Sequence, residues 1–217
     1  MTCAILIPSL NRPHRLEATV LNIREVTPEP HKMLFCVADD ESKAILDRLG
    51  EWYLDDADDP DRRYVTRMNK LVRHIGDADT VFFGSDDVIH HKFWLKEALK
   101  VLHHGVSVVV VNDMHNPAGT QALVRADYLK YAVVDSPGDA FYHGYHHNFA
   151  DNEQSFTAWK RGTYARAMLS VVEHLHPVFQ SPNSVNWDDT YQQALNGWDG
   201  DAALFANRRA FIEEVLR

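Results

Sequence analysis

The chain has 217 residues, of which 45% are hydrophobic and 24% charged, a balance typical of one folded domain that argues against intrinsic disorder. Its formal net charge of −9 disfavours general electrostatic binding to nucleic acid or to an anionic membrane surface. Cys3 and Cys36 both lie in apolar runs, and no segment reaches the ~20 apolar residues of a membrane span, so we expect buried reduced thiols in a cytoplasmic protein.

The first half of the chain alternates apolar runs of strand length with segments of helical spacing. The predicted strands are residues 4–7, 32–38, 52–54, 80–83 and 106–111. The predicted helices are residues 13–23, 42–49, 64–75 and 93–102. This alternation predicts an α/β, Rossmann-like domain in which a mostly parallel sheet carries helices on both faces. The acidic run 55–61 is predicted to be a solvated loop, because so many like charges resist burial.

From Asn112 onward the alternation weakens. Further strands are predicted at 120–124 and 166–172, and further helices at 128–134 and 151–161, with one or two more in a tail that starts at Asn186 and ends in 208–216. Residues 136–149 form a loop rich in glycine, histidine and tyrosine. No linker divides the chain, so we expect one domain over residues 1–217, made of a first half (1–112), a second half (113–185) and a helical tail (186–217).

Polar motifs follow three of the predicted strands. Pro8–Pro13 follows the first, Asp39–Ser42 follows the second, and Ser85-Asp86-Asp87 follows the strand that Gly84 ends. Ligands of open α/β sheets bind beyond the carboxyl ends of the strands, and paired carboxylates there suit a hard divalent cation. Each motif also has a purely structural interpretation, as a turn or as a helix cap provided by Asn11 or Asp40. Taken separately, the motifs leave both interpretations open.

The order of the motifs resembles that of the inverting nucleotide-sugar glycosyltransferases of the GT-A fold, the large family-2-like group. Pro-x-x-Asn-Arg-Pro comes first, Asp-Asp-x-Ser second, a helix carrying Arg67, Asn69 and Lys70 third, and Ser-Asp-Asp fourth. Downstream, Asp151–Gly162 looks like the family's Glu-Asp-x-Glu helix, and 173–177 like its late metal-binding strand. One departure is clear, because Ala150 stands where the family has the first Glu of that helix.

The resemblance implies a donor site in the first half of the chain. Its nucleotide-binding residues would be Pro8, Asn11, Arg12, Asp39, Arg67, Lys70 and Asp86. Among them, Asp39 would hydrogen-bond the base, Arg67 and Lys70 would approach the base or the diphosphate, and Asp86 would contact the ribose. For Arg67 and Lys70, an exposed helix face is the alternative.

The resemblance also implies a metal and a catalytic base. Asp87 would coordinate Mn²⁺ or Mg²⁺ bridging the donor diphosphate, and His174 or His176 would complete the metal site. Alternation along a strand places both histidines on one face, so the sequence does not separate them, and a solvated strand end remains the alternative for both. Asp151, in the acceptor half, would be the general base, with N-capping of its helix as the alternative.

The implied activity is a metal-dependent, inverting transfer of a sugar from a nucleotide-diphosphate donor, with UDP favoured over GDP, to an acceptor hydroxyl. The acceptor is left open among a glycan, a protein, a small molecule and a modified nucleobase. We expect its recognition to come from the second half, the tail or a homodimer interface. Two other classes stay open, a nucleotidyltransferase and a non-catalytic nucleotide- or sugar-binding module. The first usually has a glycine-rich phosphate loop, and Pro8–Pro13 contains no glycine.

Overall fold

The fold was obtained as a computed structural model that describes residues 1–116 and 119–217. Its strands, in chain order, are β1 (Cys3–Pro8), β2 (His31–Val37), β3 (Trp52–Asp55), β4 (Thr80–Phe83), β5 (Val88–His90), β6 (Val108–Asn112), β7 (Ala122–Arg125) and β8 (Tyr164–His174). Its α-helices are α1 (Pro13–Val26), α2 (Asp40–Leu49), α3 (Tyr64–Leu71), α4 (Trp94–Val101), α5 (Ala150–Lys160), α6 (Asp189–Asn196) and α7 (Trp198–Val215). The α/β architecture predicted from the alternation is therefore confirmed.

The strands of the described residues form one mixed sheet in the order β3-β2-β1-β4-β7-β6-β8-β5. The pairs of the first half, β3 with β2, β2 with β1 and β1 with β4, are parallel, as is β6 with β8. β7 runs antiparallel to both of its neighbours, and β5 runs antiparallel to β8. The sheet is thus parallel where the donor site was predicted and mixed beyond it, because the chain passes from β6 to β7 without the crossover helix that two parallel strands need.

Both faces of the sheet are buried under helices, as the sequence predicts. One face packs against α3 and α5 and includes Val65, Met68 and Ala158. The other packs against α1, α2 and α4 and includes Leu16 and Trp94. Cys3 and Cys36 are buried free thiols on these strands, and burial raises the pKa of each to about 12. Among the described residues, no helix combines the length and hydropathy that crossing a membrane requires.

One predicted helix is only a 3₁₀ turn in the structure, and one strand was not predicted. The helix predicted at 128–134 is only a 3₁₀ turn over Ala126–Lys130, because Pro137 and Gly138 follow closely and Gly138 turns back to donate its N–H to the carbonyl of Leu129. β5 was not predicted, because three residues are too few to show a periodicity.

The long strand β8 is interrupted by a bulge. Val111 of β6 pairs with Ala167, whereas the next residue, Asn112, pairs with Val171, so residues 168–170 are looped out of the ladder. Beyond the bulge, β8 leaves the parallel pairing with β6 and pairs antiparallel with β5. The bulge therefore separates the part of β8 that builds the sheet from the part that reaches the site.

The tail helix α7 is fastened to the second half of the chain by two charged side chains. Arg208 donates to Glu153 of α5 and forms a two-point ion pair with Asp135, with distances of 2.7 and 2.8 Å to the latter. Asp201 accepts the backbone N–H groups of residues 146–148 at 2.8 to 2.9 Å. The tail thus holds both α5 and the loop before it.

We predict that R208M destabilises the fold by about 3 kcal/mol or more, because it leaves the buried carboxylate of Glu153 without its cation. R209M is the control, since Arg209 pairs with Glu213 on the exposed surface and should change stability by less than about 1 kcal/mol. Urea unfolding followed by far-UV circular dichroism measures both. Equal midpoints for the two variants would contradict the prediction.

Candidate active site

The centre of the site is the buried acidic pair Asp86 and Asp87, which follows β4. The chain leaves β4 through Gly84, where a Cβ atom would lie 3.3 Å from the carbonyl oxygen of Leu6, so glycine allows β1 and the end of β4 to approach closely. Asp86 accepts hydrogen bonds from Ser9 Oγ at 2.6 Å and from Arg12 Nη1 at 3.0 Å. The turn after β1 and the Ser-Asp-Asp motif after β4, the first and fourth motifs of the sequence, are therefore in direct contact.

Asp87 is surrounded by donors from distant segments. Its Oδ2 accepts a hydrogen bond from the hydroxyl of Tyr191 at 2.8 Å and lies 3.4 Å from Nε2 of His174. Its Oδ1 is buried and has no partner among the described residues. Burial opposes the charged form, but His174 and Arg12 outweigh it and hold the pKa of Asp87 well below its usual range. In turn, Asp87 raises the pKa of His174 although burial opposes this.

Backbone pairing sets the position of this acid–histidine pair. β5 begins directly after Asp87, and its first residue, Val88, pairs with His174. The N–H of Leu175 donates to the carbonyl of Asp87 at 2.8 Å, and the N–H of His174 donates to the carbonyl of Asp113 at 3.2 Å. The ends of β4, β6 and β8 are thereby joined by main-chain hydrogen bonds, independently of any side chain.

Arg12 lies at the start of α1, between the acidic pair and the tail. Besides Asp86, it binds Asp188 through Nε and Nη2, both at 2.8 Å. Arg12 occupies the N-cap position of α1 and no side chain caps this helix, so the interpretation of Asn11 as a cap is wrong. Asn11 is exposed in the left-handed region, with φ of 53°. Pro8 ends β1. A nucleotide-binding role for Pro8 and Asn11 stays a prediction.

A second buried charge cluster lies beside the first motif. Asp56 accepts hydrogen bonds from Arg67 Nε and from Lys70, which also contacts Asp59. Arg67 is 1% exposed and its Nη1 donates to the carbonyl of Ser9, so the exposed helix face considered for it is wrong. The prediction that the run 55–61 is solvated throughout is also wrong, because Asp56 is buried against these two cations. Nη2 of Arg67 is buried and has no partner among the described residues.

Asp39 caps α2, a role that the sequence interpretation had given to Asp40. Its Oδ1 accepts the N–H of Ser42 at 2.8 Å, and its Oδ2 accepts the hydroxyl of Ser42 at 2.7 Å. Each carboxylate oxygen can accept a second bond, so the cap leaves room for the predicted hydrogen bond to a base.

The two late histidines differ in position. His174 is the last residue of β8, whereas His176 lies beyond it and caps a 3₁₀ turn, with Nδ1 accepting the N–H of Val178 at 3.2 Å. The ring of His176 packs against that of Tyr191 at 4.5 Å between centroids. Burial lowers the pKa of His176 to about 4, so this imidazole is neutral at physiological pH. The geometry thus distinguishes the two where strand alternation could not.

Asp151 lines a small cavity next to Phe83, the last residue of β4. The cavity is lined by aromatic and amide side chains that include Phe83, Phe141, Gln121 and Gln154. The N-cap of α5 is Phe149, so the interpretation of Asp151 as a cap is wrong. Burial raises the pKa of Asp151 to about 6. A carboxyl group held near neutrality at the wall of a cavity is suited to proton transfer.

The neighbours of Asp151 explain its position. Ala150, the residue that departs from the family pattern, packs into the core, so the helix turns the next side chain toward the cavity. Asn69 of α3 holds the preceding loop, because its Oδ1 accepts the N–H groups of Ala140 and Phe141, both at 3.0 Å. The loop 136–149 is therefore fixed to the helix that carries Arg67.

The residues around Asp87 fit a divalent cation as one half of its ligand shell. The unpartnered Oδ1 of Asp87 is a free oxygen ligand, and Nε2 of His174 lies 3.4 Å from Oδ2 of the same carboxylate. Over residues 1–116 and 119–217, no three His, Cys, Asp or Glu side chains converge as a complete metal cage. An Mg²⁺- or Mn²⁺-type ion is usually held by one or two carboxylates together with substrate phosphates, which suits this arrangement.

Several site residues were not predicted from the sequence. They are Ser9, Arg15, Asp56, Asp113, Asp188 and Tyr191. Asp113 carries the one signal that sequence reasoning could have used, since it follows the apolar run of β6 as Asp86 follows β4. It is buried, and its Oδ1 accepts the N–H groups of His115 and Asn116.

The fold is shared with solved glycosyltransferases at low sequence identity. A mannosyltransferase from Pyrobaculum calidifontis, in complex with GDP-Man and Mn²⁺, superposes with a TM-score of 0.65 at 14% identity over 80% of this chain. The chain spans 57% of the length of that protein. Glucosyl-3-phosphoglycerate synthase from Mycobacterium tuberculosis, in complex with Mn²⁺, UDP-glucose and phosphoglyceric acid, gives 0.66 at 13% identity over 96% of this chain and 80% of its own. No protein-family model and no curated protein matches the sequence.

The chain has a GT-A-type glycosyltransferase fold. The resemblance proposed from the motif order is thereby confirmed at the level of the fold. The same synthase was also solved with Mg²⁺ and UDP. The solved relatives thus include Mn²⁺ and Mg²⁺ complexes with nucleotides. The roles of individual residues in this chain stay predictions.

We predict that D151N stabilises the protein at pH 7.5 and not at pH 3. The pKa of Asp151 is raised from 3.8 in the unfolded chain to about 6 in the folded protein. Above pH 6 the carboxylate is charged in both states, and its burial lowers the free energy of unfolding by up to about 3 kcal/mol, at 1.36 kcal/mol per pKa unit. Below pH 3.8 both states carry a neutral carboxyl and the difference vanishes. Denaturant unfolding at the two pH values measures it, and a pH-independent difference between wild type and variant would rule out the raised pKa.

Proposed function

We propose that this protein is a metal-dependent, inverting glycosyltransferase that moves a sugar from a nucleotide-diphosphate donor to an acceptor hydroxyl. One observation carries the proposal. A buried acidic pair follows β4, with a histidine 3.4 Å from Asp87 and an arginine on Asp86, and the same histidine acts electrostatically on a third carboxyl group, that of Asp151, whose pKa burial raises to about 6. A cation site beside a separate, basic carboxylate is the pair of functions that such a transfer requires.

The donor would lie along the carboxyl ends of β1, β2 and β4. Asp39, Arg67 and Lys70 would border the base, and Asp86 the ribose. Asp87 and His174 would hold Mn²⁺ or Mg²⁺, which when bound neutralises the charge that develops on the departing diphosphate. We place His176 in the second coordination sphere of this metal, because its Nδ1 already accepts the N–H of Val178 in the cap of a 3₁₀ turn.

Asp151 would take the proton of the acceptor hydroxyl as the hydroxyl attacks the anomeric carbon. A base with a pKa of about 6 is ionised at neutral pH and is more basic than an ordinary carboxylate. A single attack of this kind inverts the anomeric configuration. Tyr64 borders the same region, with its hydroxyl 3.5 Å from the carbonyl of Gly84, and burial raises the pKa of this phenol.

The geometry disfavours a nucleotidyltransferase. The turn after β1 has no glycine, and its side chains Ser9 and Arg12 are committed to Asp86 rather than to a phosphate loop. A general base in a separate cavity also has no place in nucleotidyl transfer to a sugar phosphate, whose attacking oxygen is already ionised. We therefore favour sugar transfer, with UDP preferred over GDP as the donor nucleotide. Acceptor recognition is expected to come from the second half of the chain, the tail or a homodimer interface.

We predict that UDP or a UDP-sugar stabilises the protein only when Mn²⁺ or Mg²⁺ is present. At a ligand concentration ~100 times Kd, the gain is about 2.7 kcal/mol, which a thermal-shift panel of UDP, GDP and their sugars resolves. D87N should abolish the metal-dependent part, whereas D77N, at an exposed position on the opposite end of the sheet, should retain it. If no nucleotide stabilises the wild type with or without metal, the proposed function is wrong.

We predict that the rate of sugar transfer falls about tenfold per pH unit below pH 6, because the neutral form of Asp151 accepts no proton. D151N should lower the transfer rate by ~10²–10⁴ at pH 7.5 and leave nucleotide binding intact. Release of nucleotide from a radiolabelled UDP-sugar measures the rate, and calorimetric titration with UDP and Mn²⁺ checks binding. If D151N transfers sugar as fast as the wild type, a different residue is the base.

A further inference from the structure

The start of helix α6 lies on the acidic pair of the candidate active site. Residues 187–191, here called the strap, reach Arg12 and Asp87 from a position more than 100 residues away in the chain. The contacts are side chain to side chain and largely buried. The strap therefore occupies the region where the proposed function places the donor diphosphate and its cation.

Asp188 acts on the arginines as an anionic ligand would. Its two carboxylate oxygens bind Nε and Nη2 of Arg12, both at 2.8 Å, and Oδ2 also lies 3.5 Å from Arg15 Nη2. Arg15 is buried on the first turn of α1, and among the described residues its carboxylate ion-pair partner is Asp188. Two buried guanidinium groups that converge on one carboxylate form a site for a doubly charged anion.

Tyr191 fills the part of the site next to Asp87, where the cation is proposed to bind. Its hydroxyl donates to Asp87 at 2.8 Å and accepts from Arg15 Nη1 at 2.9 Å. Its ring lies under the guanidinium of Arg12, at 4.1 Å from the centroid. The phenol is thus bound to Oδ2 of Asp87, the oxygen that lies 3.4 Å from Nε2 of His174. A cation held by both Asp87 and His174 would therefore compete with this phenol for the space beside the carboxylate.

The strap has further attachments. The ring of Tyr191 packs against His176 at 4.5 Å between centroids, Thr190 donates to the carbonyl of Leu10 at 3.2 Å, and the half-exposed Trp187 also has its ring against His176. α6 ends at Asn196, and α7 beyond it is held by its own contacts through Arg208 and Asp201. Because α7 is held separately, we expect that the strap can leave the site while α7 stays in place.

We propose that Asp188 and Tyr191 are intramolecular surrogates for the diphosphate and the metal, that donor binding displaces them, and that Arg15 then binds the diphosphate together with Arg12. This inference rests on the proposed function, since it names the groups that the donor replaces. If only a fraction of the molecules has the strap out of the site, the apparent affinity for the donor is reduced in proportion to that fraction. Weakening the strap should therefore strengthen donor binding, which is the opposite of what removing an ordinary binding residue does.

The test compares D188N with D189N. Asparagine keeps the helix cap that Asp188 provides to the N–H of Tyr191, while the ion pair with Arg12 loses its charge. Asp189 is the matched control, because it is exposed and has no partner in the site. We expect D188N to bind UDP with Mn²⁺ about tenfold more tightly than wild type, equal to about 1.4 kcal/mol, and D189N to match wild type. Uridine, which lacks the diphosphate, should bind all three proteins equally.

A second set of measurements follows the strap itself. Amide hydrogen exchange of residues 187–191 should be faster in D188N than in D189N, and Mn²⁺ with UDP should speed exchange there in the wild type. The fluorescence of Trp187, isolated by subtracting the W187F variant, should change on the same titration. These measurements report the position of the strap without reference to sugar transfer.

The outcomes separate the two hypotheses. If the wild type binds UDP with Mn²⁺ but D188N binds it no more tightly than D189N does, the surrogate role is wrong and the proposed function stands. If neither protein binds any nucleotide with metal, the proposed function is wrong and the surrogate role falls with it. Binding that weakens in D188N would instead make Asp188 part of the donor site and overturn the displacement.

The role of Arg15 is tested in the D188N background, where the strap contact is already weakened. R15Q should then lower the affinity for UDP with Mn²⁺ about tenfold and leave uridine binding unchanged. R24Q is the control, since Arg24 pairs with Glu51 away from the site. Equal losses for UDP and uridine would assign Arg15 to folding rather than to the diphosphate.

Discussion

The burial of two adjacent carboxylates is the constraint on which the rest of the structure depends. Removing Asp86 and Asp87 from water is costly, and their mutual repulsion adds to the cost unless cations and hydrogen-bond donors surround them. The chain meets this need with groups from the turn after β1, from the end of β8 and from the start of α6. Three segments far apart in sequence therefore converge because one dipeptide requires them.

The surroundings of Asp87 and Asp151 shift the two carboxyl groups in opposite directions. Asp87 is held in its charged form by His174 and Arg12, whereas burial outweighs the opposing influences on Asp151 and shifts it toward its neutral form. One group is thus suited to hold a cation and the other to accept a proton, although both are aspartates. Such separation of pKa values by environment is how one protein assigns different tasks to the same side chain.

The strands and helices of the first half were predictable because each has an apolar period of its own, and the order of their terminal motifs indicated the fold. What could not be predicted depends on contacts between distant segments. Asp188 lies 176 positions from Arg12, and nothing in either local sequence links them. Asp56 was assigned to a solvated loop for a similar reason, since its burial depends on Arg67 and Lys70, which approach only after α3 has packed. Local patterns therefore predicted the donor motifs, whereas the partners that neutralise them required the three-dimensional structure.

The bulge in β8 has a consequence for how relatives of this chain can differ in length. Residues 168–170 take up the mismatch between two ladders, so an insertion before the bulge or in the loop 136–149 leaves His174 opposite Val88. A single inserted or deleted residue between the bulge and His174 would instead turn the imidazole to the opposite face of the strand. The position of His174 can therefore be kept when the chain changes length before the bulge, whereas the segment from the bulge to His174 must keep its length.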